Sequence, residues 1–590
     1  MRASLYDPDV IEILKASPTV TTTESGKDIP YPFPSPADWR DHWIYFLLVD
    51  RFDNPSSPPR PDAYPCNVYQ GGNFAGIKQR LSYLKELGAG AIWLSPVLMN
   101  PPWFGDYWGG YGTLDFLRIE PRFCSDPERA KQDPEFAAQE FRSLVDEAHA
   151  LGMYVILDIV LNHTGDVFAY EGHGDTAPWQ WDHEYAIRWR NGQGMGQAEW
   201  DDLATVSNLP RDAGIWPQEL QHNHYFRRKG GNDNEGDFGR MKELATDHKI
   251  EGSQIFPVRN YLIRAYQYLV AQFDLDGYRI DTLMYVEADF ARVFGNAVRE
   301  YALSIGKKNF FTFGEVWKDD DEAKIAEFVG RNTERDHELI GVDAAIDFPM
   351  RKRLVDAIKG DGSPADLARH FDHRRDTLKK IVSSHGDAGR HYVTFLDNHD
   401  LSQRFHSAAI PKRTEIALTC LMTLQGVPCV YYGTEAGLDN HGENRTIREY
   451  SREALWGIEN AFSATHGLYQ YIKDLSRLRQ EQPVLRYGRQ YFRPCSGNGT
   501  DFGYSPYKGG LIAFSRILND GELLVVANTN TQENTTVFVV VDYSLQSDGK
   551  RWDILFPFDK RGQLAGTTST QGGKRTVQLS LKPLEVLVVK

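Results

Sequence analysis

Apolar residues along this chain alternate between short solid runs and longer stretches with hydrophobic positions three and four apart. WIYFLLV (43–49) is a run of buried-strand type. FAGIKQRLSYLKELG (74–88) then places Ile77, Leu81, Leu84 and Leu87 on one helical face, with Gly88 as the stop. AIWLSPV (91–97) reads as a strand, EFAAQEFRSLVDEAHALG (135–152) as a helix with Phe141, Leu144, Val145 and Ala148 inward, and MYVILDIVLNH (153–163) as a strand. The rhythm resumes with a helix over 254–273, the strand DGYRID, a helix over 287–304 and the strand NFFTFGE (309–315). YVTFLDN (392–398), a helix over 412–425, VPCVYYG (427–433) and a helix over 464–480 complete it. With one weaker strand near 339–348 there are eight strand–helix units. Short right-handed crossovers make such a series a parallel sheet, and eight of them make an α/β (β/α)8 barrel, a TIM barrel.

Two stretches break the pattern. Residues 166–250 are rich in Gly, Asn, Asp, His and Trp and too long for a plain loop, so they read as a small domain inserted after strand three. After Tyr487 the helical period gives way to runs such as LIAFSRI, ELLVVANT and TTVFVVVDY, punctuated by turn residues, which predict a C-terminal antiparallel β-sandwich. The expected organisation is an N-terminal arm (1–40), a barrel in two parts (41–165 and 251–486), the insert (166–250) and the sandwich (487–590).

A formal net charge of −15 argues against nucleic-acid or anionic-membrane partners and suits a neutral substrate. Five scattered cysteines (Cys66, Cys124, Cys420, Cys429, Cys495), without a C-x-x-C pair, predict neither a disulfide framework nor a zinc knuckle. The opening MRASLYDPDVIEILKAS lacks a basic region followed by an apolar core, and no apolar run is long enough to span a membrane. The expectation is a cytoplasmic protein, although a secreted chain trimmed of its leader would read the same.

Arg279 and Asp281, two apart in GYRIDTLMYV (277–286), share one face of a buried strand. Such a pair is either a structural ion pair or a reactive carboxylate held by a guanidinium. Other expected strand ends carry Asp158, Asn162 and His163, then Glu315, then Asp397, His399 and Asp400. A barrel gathers such residues at one mouth. Glycosidic hydrolysis needs this inventory, with one carboxylate to attack and a protonated one to deliver a proton. Arg279 would keep Asp281 ionised, while the apolar neighbours of Glu315 (FFTFGEVW) would raise its pKa and suit it as the acid. A hydrolytic metal on Asp158, His163 and His399 is the competing reading, but no H-x-H or H-E-x-x-H spacing supports it. Trp103, Phe104, Tyr107 and Trp108 form either a sugar platform or a barrel cap. His149 is expected at the helix surface.

DIVLNH (158–163), GYRIDTLMY (277–285), FGEVW (313–317) and FLDNHD (395–400) resemble, in order, the four signature stretches of the α-amylase family, glycoside hydrolase family 13. GGNFAGIKQRLSYLKELGAGAIWLSPV (71–97) and GVPCVYYGTE (426–435) resemble its first helix with second strand and its eighth strand. The resemblance implies a retaining enzyme acting on α-glucosidic bonds of malto-oligosaccharides or starch, with Asp281 as nucleophile and Glu315 as general acid and then base. It further implies that Asp400, His163 and His399 bind the sugar at the cleavage point, that Tyr111 stacks on it, that Arg279 orients Asp281 and that Asp158 supports Arg279. A transglycosidase or isomerase of the same fold is the alternative, while a silent binding member would be expected to lack a carboxylate or carry a membrane helix. The chain departs from the family at Gly109-Gly110-Tyr111, where His-Gly-Tyr is common. It departs again at Met284 and Tyr285, where many amylases carry Lys-His on the substrate's leaving-group side. The resemblance implies a structural calcium on Asn162 and Glu243, with Glu243 standing where an aspartate is usual, and no organic cofactor. DRFDN (50–54) offers carboxylates for a second calcium.

Overall fold

The structure is a computed structural model that describes residues 2–60, 68–232, 235–334, 339–440 and 448–590. Cys66 lies outside them, and the four described cysteines are free thiols. Eight short parallel strands pair in the order 6-5-4-3-2-1-8-7. In chain order they are Ile44–Leu47, Ala91–Leu94, Tyr154–Val160, Gly277–Asp281, Phe311–Gly314, Ala344–Ala345, Val393–Thr394 and Val427–Tyr431. A parallel bridge from Ile346 to Val393 joins strands six and seven and closes the barrel. The sixth and seventh strands are only two residues long. Main-chain hydrogen bonds still hold them in the ladder: Asp343 N to Thr312 O (2.8 Å), Ile346 N to Gly314 O (3.0 Å), Asp347 N to Val393 O (2.9 Å) and Val427 N to Tyr392 O (2.9 Å).

The wall helices follow from their apolar stripes. Phe74–Leu87 starts on the Asn73 side chain, which accepts from the Gly76 amide, and stops at Gly88 with φ 101°. Pro257–Phe273 and Ala288–Ile305 stand three and one residues from their expected starts, while Phe348–Lys359 and Pro364–Leu378 follow strand six. The insert is mostly irregular. Phe168–Tyr170 pairs antiparallel with Ile187–Trp189, and Phe168, Trp189 and Phe226 meet edge to face as its small core.

The C-terminal strands form one antiparallel series of nine. Gly562–Gln571 switches faces midway: Gln563 and Thr567 pair with the strand Arg551–Phe556, and Thr568 to Gln571 pair with Lys574–Leu581. The two faces enclose Leu524, Val526, Val539, Trp552, Val577 and Leu579. Arg516, fully buried in this unit, donates from Nη1 to the Thr423 carbonyl (2.6 Å) and from Nη2 to the Gly488 carbonyl (2.8 Å), riveting the sheet to the barrel. No helix among the described residues is long and apolar enough to cross a membrane.

Two expectations need correction. The first forty residues are more than a connecting arm. They form a helix (Pro8–Leu14) and a hairpin (Thr19–Thr22 with Asp28–Tyr31), and they bury Leu5, Val10 and Trp39 against the barrel. His149 is not at the surface. It is 2% exposed, stacks on Phe33 at 4.2 Å, and its Nε2 lies 2.8 Å from Asp276 Oδ2. Lys307, equally buried, completes this cluster at the barrel's lower rim, its Nζ 2.7 Å from Asp274 and 2.8 Å from Asp276.

The lower-rim cluster gives a stability test. Lys307→Met removes the strongest cation from two carboxylates that are out of water. It is expected to destabilise the chain by about 3–5 kcal/mol, read as a lower urea midpoint.

Candidate active site

The upper rim opens into a cavity of about 720 Å³, within the range of small-molecule sites. Asp281, Glu315, His399 and Asp400 line it, with Tyr111, Met284, Tyr285 and Trp317. Its geometry begins in the strand register. Arg279 on strand four is the Cα partner of Asp158 on strand three and of Phe313 on strand five. The two-residue period then aims Arg279 and Asp281 to the same side. Arg279 is fully buried, and its Nη1 donates to Asp158 Oδ1 and to Asp281 Oδ1, each at 2.8 Å. Its Nη2 lies 3.0 Å from Glu315 Oε2, and Trp93 packs 5.4 Å from the guanidinium carbon. Three carboxylates therefore converge on one cation.

After Asp281 the chain turns sharply. Thr282 adopts φ 48°, a left-handed conformation uncommon for a β-branched residue, and so aims its amide at Glu315 Oε2 (3.0 Å). Burial, with the negative charges of Asp281 and Asp400 nearby, pushes the Glu315 carboxyl up to about 8 against the pull of Arg279. Burial pushes Asp158 up to about 7, again against Arg279. Asp158 also accepts from Trp93 Nε1 (3.2 Å) and from the Tyr111 hydroxyl (3.0 Å).

The other side of the mouth is an aromatic and imidazole wall. Tyr111 lies parallel to His399 at 5.5 Å, and its hydroxyl is 2.9 Å from His399 Nε2. That same nitrogen stands 3.1 Å from Asp400 Oδ2. His163 is buried, with its pKa lowered by that burial, and its Nε2 has no hydrogen-bond partner among the described residues. Phe104, Tyr107 and Trp108 line the cavity, and Trp103 is not among its walls. Trp317 both lines it and stacks on Phe348 at 5.0 Å, so it serves cleft and helix packing together.

Several lining residues escape the sequence reading. Arg452 reaches in from beyond strand eight, donating to the His399 carbonyl (2.7 Å) and contacting Asp400 at 3.2 Å. Phe238, Gly239, Arg240 and Met241 come from a tight turn of the insert, closed by Phe238 and Met241 exchanging main-chain hydrogen bonds. Phe238 meets Tyr285 with ring centres 5.5 Å apart. The stretch GDFGRMKELATD signals a turn at 236–239, but nothing local says that the turn faces the cleft.

Asn162 and Glu243 do come together. The Asn162 carbonyl accepts from Leu244 N (2.9 Å), and His163 bridges Glu243. Arg227 Nε lies 3.3 Å from one Glu243 oxygen, and the other, buried, has no hydrogen-bond partner among the described residues. Burial pushes this carboxyl up to about 9 despite Arg227. A buried Glu243 oxygen without a hydrogen-bond partner among the described residues, on a segment whose main chain pairs with Asn162 and His163, fits an oxygen-seeking cation such as calcium. Among the described residues no three or more of His, Cys, Asp and Glu gather to hold a metal by themselves. The DRFDN loop is a poorer cradle. Asp50 is taken by Arg51 (2.8 Å) and by the amides of Gln70 and Gly71, and Asp53 by Arg80 (2.6 Å).

Comparison with known proteins agrees with the barrel. The family model described as "Alpha amylase, catalytic domain" matches residues 41–456. An alpha-amylase of Streptomyces lividans is 26% identical over 523 residues, covering 78% of this chain and 51% of that protein, so the chain spans about half the length of that relative. A cyclomaltodextrin glucanotransferase of Geobacillus stearothermophilus is 24% identical, covering 84% of this chain and 60% of that one. Among solved structures, an alpha-amylase from Geobacillus thermoleovorans complexed with acarbose superposes with a TM-score of 0.63 at 23% identity, over 94% of this chain and 99% of that one. The chain belongs to the alpha-amylase family.

Proposed function

We propose that this protein is a retaining α-glucan glycoside hydrolase that cleaves α-glucosidic bonds of malto-oligosaccharides or starch fragments through a covalent glycosyl-enzyme. The observation that carries the reading is the unequal treatment of two carboxylates on one guanidinium. Asp281 takes a charge-assisted hydrogen bond from Arg279 Nη1, whereas Glu315 is pushed to about 8 and so holds a proton at neutral pH.

Glu315 donates that proton to the leaving glycosidic oxygen as Asp281 attacks the anomeric carbon. The exocyclic C–O bond breaks, and its electron pair leaves as the protonated alcohol. Glu315, now a carboxylate, accepts a proton from incoming water, whose oxygen displaces Asp281 with a second inversion. His163 Nε2, His399 and Asp400 are the hydrogen-bonding groups for the sugar held there, Tyr111 is its stacking face, and Asp158 fixes Arg279.

Transfer to a sugar is the second reading, favoured by one feature. On the leaving-group side the wall is Met284, Tyr285 and Phe238, an apolar and aromatic surface suited to a sugar face rather than to ordered water. Asn162 and Glu243 would hold a structural calcium, which would neutralise buried charge where insert and barrel meet.

Asp281→Asn is expected to lower kcat/KM on maltoheptaose by at least about 10³-fold. Wild-type activity in that variant would refute the nucleophile, and chromatography of wild-type products separates hydrolysis from transfer. Because Glu315 must keep its proton, kcat/KM is expected to be sustained below pH 8 and to fall about tenfold per pH unit well above it. An aryl glucoside whose leaving group needs no proton should show a flattened alkaline limb. A hundredfold excess of calcium over its Kd is expected to stabilise the wild type by about 2.7 kcal/mol, read as a rise in Tm that Glu243→Ala abolishes.

A further inference from the structure

Among the described residues two tryptophans are exposed: Trp317 in the cleft at 39%, and Trp181 on the insert at 66%. A single exposed indole is ordinary on a protein surface. The setting of Trp181 is more organised than that. Trp179 stands two residues away, with ring centres 5.9 Å apart and planes at 65°, so the pair forms a corner rather than a stack. The loop that carries them is tied down at both ends. Gln180 N donates to the Lys229 carbonyl and Tyr185 N to the Arg228 carbonyl, both at 2.7 Å, and the Tyr185 hydroxyl donates to the Pro178 carbonyl at 2.9 Å.

The facing segment fits closely against it. A Cβ on Gly230 would stand 2.4 Å from the Pro178 oxygen, and one on Gly236 would stand 2.8 Å from Trp179 Cζ3. Both rings are therefore presented by backbone fixed before any ligand arrives, which removes much of the ordering cost of binding. Asp182, His183 and Glu184 are exposed beside them and supply hydrogen-bonding groups for hydroxyls. Along the chain the corner adjoins the cleft wall. Gly236, under Trp179, precedes by two residues, roughly 7 Å of extended chain, the Phe238 that faces Tyr285.

We propose that Trp179 and Trp181 form an α-glucan-binding platform on the insert, engaging a long chain beyond the cleft on its Phe238–Tyr285 side. An indole offers a flat apolar face to the C–H face of a glucose ring, and two at an angle follow a curved chain better than two in one plane. The proposal rests on the α-glucan reading above and extends it to chain length.

Trp181→Ala is expected to raise KM for a long maltodextrin about three- to tenfold with kcat retained. The kcat/KM for maltotriose, too short to reach the corner, should stay unchanged, and Trp181→Phe should recover most of the loss. Unchanged long-chain kinetics in Trp181→Ala would overturn the platform. So would a dimer seen by sedimentation velocity that Trp181→Ala dissolves without altering glucan affinity, because the corner would then be a self-association surface. Fluorescence titration with maltodextrin separates this proposal from the catalytic one. Binding abolished by Trp181→Ala in a protein that turns over no α-glucoside keeps the platform and refutes the hydrolase. Turnover with equal long-chain affinity in both proteins refutes the platform alone.

Discussion

The upper rim depends on a single buried guanidinium. Arg279 is shut off from water and faced by Asp158, Asp281 and Glu315, so one positive charge meets three carboxyl groups. Desolvation makes three buried negative charges untenable beside one cation, and protonation relieves the excess. The relief falls on Glu315, pushed to about 8, and on Asp158, pushed to about 7. Glu315 bears it chiefly because it is buried away from water. It has the Thr282 amide and one edge of the guanidinium, with Asp281 and Asp400 as negative neighbours. The protonated carboxyl that the proposed mechanism needs thus follows from a charge imbalance built into the rim.

The barrel supplies that imbalance through register. Because Arg279 sits opposite Asp158 and Phe313 in the ladders, main-chain hydrogen bonds fix its backbone beside theirs and place its side chain within reach of the carboxylates. Thr282 then turns the chain away at a conformation that carries strain, and the same turn delivers the amide that Glu315 needs. A one-residue slip of strand four would send Arg279 and Asp281 to the opposite side and dissolve the site, which makes the register as functional as any side chain.

Much of this was legible in the sequence because the signals are local and periodic. The helix at 74–87 declares its face and its Gly88 stop, and RID two residues apart on a strand declares a shared side. The sixth strand was legible only by counting, since two alanines carry no period. The partners of His149 lie more than a hundred residues away in Phe33, Asp274 and Asp276, so a helical wheel places it outside. Arg452 was invisible for the same reason: its contacts to His399 and Asp400 arise where two rim loops meet, and no spacing encodes that meeting. The N-terminal segment has one short helix and one hairpin, too little of either period to announce itself, yet the barrel wall gives both a surface to cover.

The insert is where the chain departs from the barrel's economy and adds its own wall to the cleft. Its turn at Phe238–Met241 lines the same cavity as Asp281, and it lies close in space and sequence to the junction of Asn162, Arg227 and Glu243. Loosening that junction would move Phe238 against Tyr285, and with it the surface that water or a second sugar must cross to reach the glycosyl-enzyme. The chemistry belongs to the rim and is insensitive to this. In the proposed mechanism, whether the intermediate meets water or a hydroxyl of another glucan would depend instead on how well the aromatic wall retains a sugar. On the proposed reading, hydrolysis and transfer on this scaffold would therefore differ in the packing of one turn of the insert, and not in the rim carboxylates.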